Sequence, residues 1–235
     1  MNGGVLRLLV IGTGRMGRLI EALAAEYRCE VVATLDRAAN PGGTGITTAL
    51  CRGIDVAMEF THPESAAANL AALARCGVHA VIGTTGWGAD QAALQRLAAE
   101  QQIGVVAAAN FSIGAHVIDA ACERAASLLQ QAGGYGAFIH EQHHAAKRDA
   151  PSGTALMLRD AVVRGGWLGN IDVSSTRAGH IPGTHVVGFD GAAETITLSH
   201  VVRDRATFAQ GALVAAHFVA RRRGWFTMRD VIAER

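Results

Sequence analysis

Long apolar runs, paired cysteines and an excess of either charge are all missing from this 235-residue sequence. No stretch of about 18 apolar residues occurs, so we expect no membrane-spanning helix. The apolar run within residues 1–11 is too short for a secretory leader, and Arg7 interrupts it. We therefore expect a cytoplasmic protein. The formal net charge is only +1, which predicts no general attraction to nucleic acid or to an anionic membrane.

Proline and cysteine are also scarce. Only 4 prolines occur, which argues against a linker-rich chain, and the 28 glycines show no collagen triplet. Hydrophobic residues make up 50% of the chain and charged residues 17%, which excludes intrinsic disorder. The cysteines are widely spaced and without a CxxC pair, a pattern typical of reduced core residues and not of a disulfide framework or zinc site. They are Cys29, Cys51, Cys76 and Cys122.

The first 110 residues alternate short apolar runs with helical patterns. Strands are predicted over residues 5–11, 30–35, 55–60, 79–82 and 103–108. Helices are predicted from residue 16 to 27, from Pro63 to a stop at Gly77, and over 89–102. Strands that alternate with helices in this way indicate an α/β fold with a doubly wound parallel sheet of the Rossmann type.

The pattern changes after Asn110. Helices are predicted over residues 113–131, 152–164 and 208–219, and strands over 137–142, 185–189 and 194–202, with a loop from 165 to 184. In the last strand Ile196, Leu198 and His200 alternate with polar residues, as in a half-buried antiparallel strand. A second, α+β domain with a mixed sheet is therefore expected.

The segment GTGRMG follows the first strand and opens the first helix. Its glycines, Gly12, Gly14 and Gly17, match the GxGxxG fingerprint of dinucleotide-binding folds. In that motif the first glycine permits the tight turn, the second lets the backbone approach a pyrophosphate, and the third allows close packing of helix and strand. The alternative is a tight turn between strand and helix that binds no ligand.

Asp36 ends the second predicted strand, where an acidic residue accepts hydrogen bonds from the ribose hydroxyls of NAD. Arg37 follows it, and Arg15 lies in the glycine loop; either could pair with the 2′-phosphate of NADP. The sequence therefore suggests use of both NADH and NADPH. The alternative for Asp36 is a residue that only forms a turn at the end of the strand.

Residues 141–155, EQHHAAKRDAPSGTA, concentrate polar groups. His143, His144 and Lys147 can supply protons and positive charge, and Ser152 can cap the helix that follows. A metal site is disfavoured, because adjacent histidines on an extended segment point to opposite faces and no third ligand occurs at zinc spacing. The alternative is a polar surface loop before a capped helix.

This segment closely resembles the signature E-x-H-H-x-x-K-x-D-A-P-S-G-T-A of the dihydrodipicolinate reductase family. The resemblance spans nearly the whole chain. Further matching stretches are residues 12–17 (GTGRMG), 60–64 (FTHPE), 83–86 (GTTG), 108–114 (AANFSIG), 179–185 (GHIPGTH), 208–211 (FAQG) and 227–231 (TMRDV).

The resemblance implies NADH- or NADPH-dependent reduction of the cyclic dicarboxylate made from pyruvate and aspartate semialdehyde, a step in lysine and diaminopimelate biosynthesis. His143 matches the proton donor and Lys147 the catalytic cation. The positions that match carboxylate-binding residues are Thr85, His144, Ser152, Gly153 and Thr154. Those that match cofactor-binding residues are Gly12, Thr13, Gly14, Arg15, Met16, Gly17, Asp36, Arg37, Phe60, Thr61, Gly83, Thr84, Thr85, Ala108, Asn110 and Phe111.

The resemblance also implies a domain organisation. Residues 1–111 and 206–235 would form the dinucleotide-binding domain, and residues 112–205 a domain for substrate binding and homotetramer formation, with hinges near Ser112 and Arg205. The chain departs from the family pattern in short segments at 38–54 and 165–185, and in Glu59, where Asp is commoner. The short segments leave a diverged reductase of another cyclic imine dicarboxylate open as an alternative. A non-catalytic nucleotide-binding sensor is a second alternative, against which the intact His143, His144 and Lys147 argue.

Overall fold

The computed structural model describes residues 4–88 and 91–234. The chain divides into two compact units, one of Met1–Ser112 with Ala206–Arg235 and the other of Ile113–Arg205. Within the described residues, every helix is too short or too polar to cross a membrane. All four cysteines are free thiols, and three of them are buried.

The first unit contains a parallel sheet of six strands. The strands are β1 (Leu6–Ile11), β2 (Cys29–Leu35), β3 (Val56–Glu59), β4 (His79–Ile82), β5 (Gly104–Ala107) and β10 (Gly224–Phe226), in the order β10-β5-β4-β3-β1-β2. All neighbouring strands run parallel, which confirms the predicted Rossmann-type sheet. Both faces of such a sheet are covered, and accordingly the last four residues of β1 and all four residues of β3 are buried in succession, without alternation.

The first unit contains six α-helices within the described residues, and the longer ones follow the sequence signals. They are α1 (Arg15–Leu23), α2 (Thr48–Cys51), α3 (Pro63–Arg75), α4 (Gln91–Glu100), α7 (Ala206–Val219) and α8 (Met228–Ala233). A 3-10 turn over Ala24–Tyr27 continues α1. Pro63 starts α3, and Gly77 follows its end with a φ of +70°. The first two residues of the helix predicted over 89–102 lie outside the described residues.

The second unit contains a mixed sheet of four strands. These are β6 (Gly136–His143), β7 (Ile171–Arg177), β8 (Thr184–Asp190) and β9 (Thr195–Val201), in the order β7-β6-β8-β9. Strand β6 is parallel to β7 and antiparallel to β8, and β8 is antiparallel to β9, which confirms the predicted mixed sheet. Helices α5 (Ile113–Ala132) and α6 (Gly153–Arg164) complete the unit. Their buried residues share one core with Ile139, Val187 and Phe189 of the sheet.

Part of the prediction for residues 165–184 is wrong, because β7 lies within the stretch that we expected to be a loop. Its sequence, IDVSSTR, is mostly polar, and none of its residues is fully buried. It is an edge strand held by the ladder to β6, so its formation depends on a partner that is distant in the sequence. The short elements β10, α2 and α8 were also not predicted.

Candidate functional site

The glycine loop leaves β1 and turns sharply into α1. Gly12 has a φ of +103°, and a Cβ there would lie 2.2 Å from the Phe60 carbonyl oxygen. A Cβ at Gly17 would lie 2.0 Å from the Gly12 carbonyl oxygen. Gly14, the N-cap of α1, has open space around it. Two glycines are therefore required by backbone packing, whereas Gly14 leaves the start of α1 open to a ligand.

Asp36 lies beside this loop. Ile11 and Leu35 are register partners, and the Gly12 N–H donates to the Leu35 carbonyl oxygen at 2.8 Å. The exposed Asp36 accepts a hydrogen bond at Oδ1 from the Ala39 N–H at 2.8 Å. Asp36 thus forms a turn and also stands next to the glycine loop, and Arg37 beside it is exposed.

The other predicted cofactor residues follow β3, β4 and β5 at the carboxyl edge of the same sheet. The Phe60 and Phe111 ring centroids are 5.7 Å apart. The Thr61 N–H donates to Thr84 Oγ1 at 2.7 Å. A Cβ at Gly83 would lie 2.0 Å from the Phe60 ring. The carboxyl ends of parallel strands are where α/β folds bind ligands. Ala108 and Asn110, both half-buried, follow β5 at this edge, and Thr85, which is exposed, follows β4.

A buried polar network that the sequence did not reveal lies behind this edge. Glu59 is fully buried, and its Oε1 accepts from the Thr61 hydroxyl and, at 3.0 Å, from the Asn69 amide. The Asn40 amide donates to Asn69 Oδ1 at 2.8 Å. Burial raises the pKa of Glu59, although the hydrogen bonds it accepts oppose the rise. The network ties the loop after β2 to the ends of β3 and β4.

In the second unit, β6 places two residues of the signature on one face. Glu141 and His143 are separated by two positions on a strand, and both are buried. His143 Nδ1 is hydrogen-bonded to Glu141 Oε2. Burial lowers the pKa of His143, and the Glu141 carboxylate opposes that effect. His144, the next residue, is half-buried and follows the end of the strand.

Arg177, at the end of β7, pairs with the same carboxylate. Its Nη2 donates to Glu141 Oε1 at 2.6 Å and its Nη1 to Oε2 at 3.0 Å. Burial alone would raise the pKa of Glu141, but hydrogen bonds from Arg177, Ser175 and His143 lower it to about 2. Glu141 is therefore a fixed buried anion.

Ser152 caps α6, as predicted. Its Oγ accepts from the Ala155 N–H at 3.2 Å and lies 3.0 Å from Nε2 of His185. The hydroxyl is consequently engaged inside the protein, and Ser152 is only 2% exposed. Gly153 is exposed and Thr154 half-buried at the same helix start.

Lys147 lies in the turn after β6, where its Nζ donates to Asp149 Oδ1 at 2.8 Å. The Lys147 N–H donates to the His144 carbonyl oxygen at 3.1 Å, which closes this turn. The structure therefore brings His143, His144, Lys147 and the start of α6 to the end of β6.

Glu141, His143 and His185 carry ligand atoms within 4.8 Å of one another, which is compact enough to hold a metal ion. The spacing of residues in the sequence did not reveal His185 as a third ligand, because His185 lies on another strand, β8. Strand pairing makes it the register partner of Glu141. The positively charged guanidinium of Arg177 already donates a hydrogen bond to each oxygen of Glu141. Because the guanidinium compensates the charge of Glu141, the cluster offers a cation little net attraction.

Four residues in or beside this cluster were missing from the predicted site: Glu141, Arg177, His185 and Gly183, at which a Cβ would lie 3.2 Å from Nε2 of His143. Glu141, Gly183 and His185 lie within stretches that carry the family resemblance, so that signal was available. Arg177 lies in β7, and no sequence feature pointed to it.

Comparisons with known proteins show the family to which the chain belongs. Family models described as "Dihydrodipicolinate reductase, N-terminus" and "Dihydrodipicolinate reductase, C-terminus" match residues 6–111 and 114–232. A 4-hydroxy-tetrahydrodipicolinate reductase of Thiobacillus denitrificans is 40% identical over 266 aligned positions, covering 97% of this chain and 98% of the relative. The enzyme of the same name from Christiangramia forsetii is 30% identical, with 97% and 98% coverage.

A dipicolinate-bound dihydrodipicolinate reductase from Paenisporosarcina sp. TG-14 shares the fold. Its TM-score is 0.80 at 23% identity, and the match covers 95% of this chain and 97% of that one. An amine dehydrogenase from Mycobacterium smegmatis has a TM-score of 0.55 at 13% identity, with 96% and 95% coverage. Both family models together span nearly all of the sequence, and this chain therefore belongs to the dihydrodipicolinate reductase family.

Proposed function

We propose that this protein reduces 4-hydroxy-tetrahydrodipicolinate to tetrahydrodipicolinate with NADH or NADPH, as an oxidoreductase of lysine and diaminopimelate biosynthesis. Relatives that carry the corresponding name match over nearly their full length. The observation that carries the proposal is the environment of His143, a buried imidazole whose Nδ1 is bonded to a carboxylate at the end of the signature strand.

His143 acts as the general acid in this proposal. Because Glu141 takes Nδ1, Nε2 is the nitrogen that carries the transferable proton. A Cβ at Gly183 would lie 3.2 Å from Nε2, so glycine at this position keeps the space beside that nitrogen free of a side chain. The imidazolium form donates the proton from Nε2 and is left as neutral imidazole.

The substrate is a dicarboxylate, and the end of β6 offers groups suited to it. Helix α6 has 12 residues, and its first N–H groups and positive dipole end favour an anion. Gly153 and Thr154 stand at this start, with Lys147 and His144 on the preceding turn. By the family resemblance, Thr85 is also assigned to substrate binding in this proposal. Ser152 contributes by capping and positioning α6.

The first unit suits a nicotinamide dinucleotide. Gly12 and Gly17 permit the tight turn between β1 and α1, where a side chain would clash with backbone carbonyl oxygens, and Gly14 leaves the start of α1 accessible. When bound, the cofactor supplies the hydride. In this proposal residues 12–17 hold the pyrophosphate, Asp36 and Arg37 hold the adenosine ribose, and the nicotinamide is enclosed by Phe60, Thr61, Gly83, Thr84, Thr85, Ala108, Asn110 and Phe111.

The remaining parts of the proposal concern organisation. Residues 1–111 with 206–235 would bind the cofactor, and residues 112–205 would bind the substrate and form a homotetramer through β9. Because Asp36 suits NADH and Arg37 suits NADPH, both cofactors are used. The enzyme works in the cytoplasm.

An assay of NADH oxidation tests the function. The substrate is generated in the cuvette by condensing pyruvate with aspartate semialdehyde. We expect NADH consumption that requires this substrate and is lost in Lys147→Met but retained in Arg148→Met, a matched control because Arg148 is the exposed neighbour. Oxidation with only another cyclic imine dicarboxylate would show a diverged reductase, and cofactor binding without any oxidation would show a sensor.

A further inference from the structure

Glu141 is a fully buried carboxylate that the family resemblance gives no role. Besides His143 and Arg177, the Ser152 N–H approaches its Oε1 at 3.3 Å. Its contacts therefore come from β7, from the start of α6 and from its own strand. Burying an anion is unfavourable unless such partners compensate its charge, so its presence beside His143 needs an explanation.

The Arg177 guanidinium determines the protonation state of Glu141. Its two nitrogens donate to both carboxylate oxygens in a fork. The positive charge of this fork stabilises the carboxylate over the neutral acid, so Glu141 is ionised and carries no proton on either oxygen. The hydrogen between Glu141 Oε2 and His143 Nδ1 consequently belongs to the imidazole.

The other ring nitrogen of His143, Nε2, is the one that can exchange a proton with the substrate. Nε2 faces the position of Gly183, whose φ of +148° is a conformation that disfavours a side chain. The His185 ring packs edge-on against the His143 ring at a centroid distance of 5.1 Å, which restricts its rotation. The ring of His143 is thus held on one side by Glu141 and on another by His185.

We propose that Glu141 and Arg177 form a positioning pair that fixes the tautomer and the ring orientation of His143, so that Nε2 alone exchanges a proton with the substrate. The pair acts through His143 and touches no reacting atom. Its effect on catalysis rests on the proposed function, whereas its effect on the tautomer does not. The charged or titratable groups that face His143 are Glu141, Lys147, Arg177 and His185.

Nitrogen NMR of the unmodified protein gives the first test. In ¹⁵N-labelled protein at a pH where His143 is neutral, its ring should show the Nδ1–H form, and the His143→Gln variant identifies the signals. An Nε2–H tautomer, or an equal mixture of the two, would overturn the proposal. This measurement needs neither substrate nor cofactor, and it requires no variant of Glu141 to fold.

Glu141→Gln tests the pair directly. The Arg177 fork forces the amide oxygen toward the guanidinium, so the amide NH₂ group faces His143 and donates to Nδ1. The neutral imidazole should then switch to the Nε2–H tautomer. We expect kcat to fall by about 100-fold or more, the scale of a lost general acid, while KM stays within about threefold. Replacing the carboxylate behind a serine-protease histidine by an amide acts in the same way.

The pH profile separates positioning from general damage. Loss of a neighbouring anion should move the protonation of His143, as seen in kcat/KM, to lower pH, because Glu141 favours the charged imidazolium. Glu141→Asp keeps the charge and should restore most of that shift. Glu123→Gln is the matched control, because Glu123 also pairs with an arginine of this unit, Arg164, and it should change neither kcat nor the profile.

The outcomes distinguish this inference from the proposed function. An unchanged tautomer and pH profile in Glu141→Gln would refute the positioning pair even in an active enzyme. An Nδ1–H tautomer in the native protein that switches in Glu141→Gln would support it, even if the native protein failed to oxidise NADH with the expected substrate. That second failure would refute only the proposed function.

Discussion

Gly14→Ala and Gly12→Ala provide a matched test of the glycine loop, because the structure predicts opposite effects on stability. At Gly14 the φ of −74° and ψ of −164° are open to any residue, and a Cβ would meet no protein atom within 4 Å. We therefore expect Gly14→Ala to leave the free energy of unfolding unchanged or to raise it by about 0.4–1 kcal/mol.

Gly12→Ala should instead destabilise the protein. A φ of +103° strains alanine, at about 1–3 kcal/mol. A Cβ at 2.2 Å from the Phe60 carbonyl oxygen also forces the backbone apart, which costs about 1–3 kcal/mol. The total is about 2–6 kcal/mol, measured by urea or thermal unfolding.

Cofactor affinity then decides what the loop does. If the loop holds a pyrophosphate, a methyl group at residue 14 keeps the phosphates from the N–H groups at the start of α1. Loss of one such charged hydrogen bond, about 1.5–3 kcal/mol, weakens NADH binding by about 10- to 150-fold. Fluorescence titration of the folded Gly14→Ala variant measures this. Native affinity in that variant would refute the reasoning and leave a tight turn without a ligand, the alternative that the sequence left open.

The other predictions concern the reaction, the cofactor, the pH and the assembly. His143→Gln should lower kcat by about 100- to 10,000-fold with little change in KM, whereas Lys147→Met should lower kcat and raise KM; steady-state kinetics with separately measured NADH affinity checks both. Asp36 beside Arg37 should limit the preference between NADH and NADPH to under about tenfold, and a hundredfold difference in titrated affinities would contradict this. Burial lowers the pKa of His185 from its ordinary value of 6.5 to about 4. As the pH falls below 6.5, this histidine is therefore protonated in the unfolded chain before it is protonated in the folded one. His185 should therefore contribute a decrease in stability of about 3 kcal/mol between pH 6.5 and 4, and His185→Gln should remove that contribution in unfolding experiments at several pH values. Light scattering at micromolar concentration should give about four times the chain mass of 24.5 kDa; a fully active monomer would contradict the tetramer.

Much of the fold was predictable because it depends on local pattern. Strand β4 was predicted at the residues where it lies, and α3 begins at Pro63 and ends before Gly77, as expected from proline and glycine at these positions. The run from β1 through the glycine loop to α1 was recognisable for the same reason, since GxGxxG is a local solution to a tight turn. The long signature at residues 141–155 identified the family, although it said little about geometry.

The partners of the signature were decided by the tertiary structure. Strand β7 has a polar sequence and forms because β6 pairs with it, and it brings Arg177 to Glu141 across a separation that no local pattern encodes. His185 reaches Ser152 through the register of β6 and β8. The sequence by itself thus determined the longer helices, most of the strands, the family and the residues of the signature. Only long-range strand pairing decided which charges surround His143 and which of its nitrogens is left for the substrate.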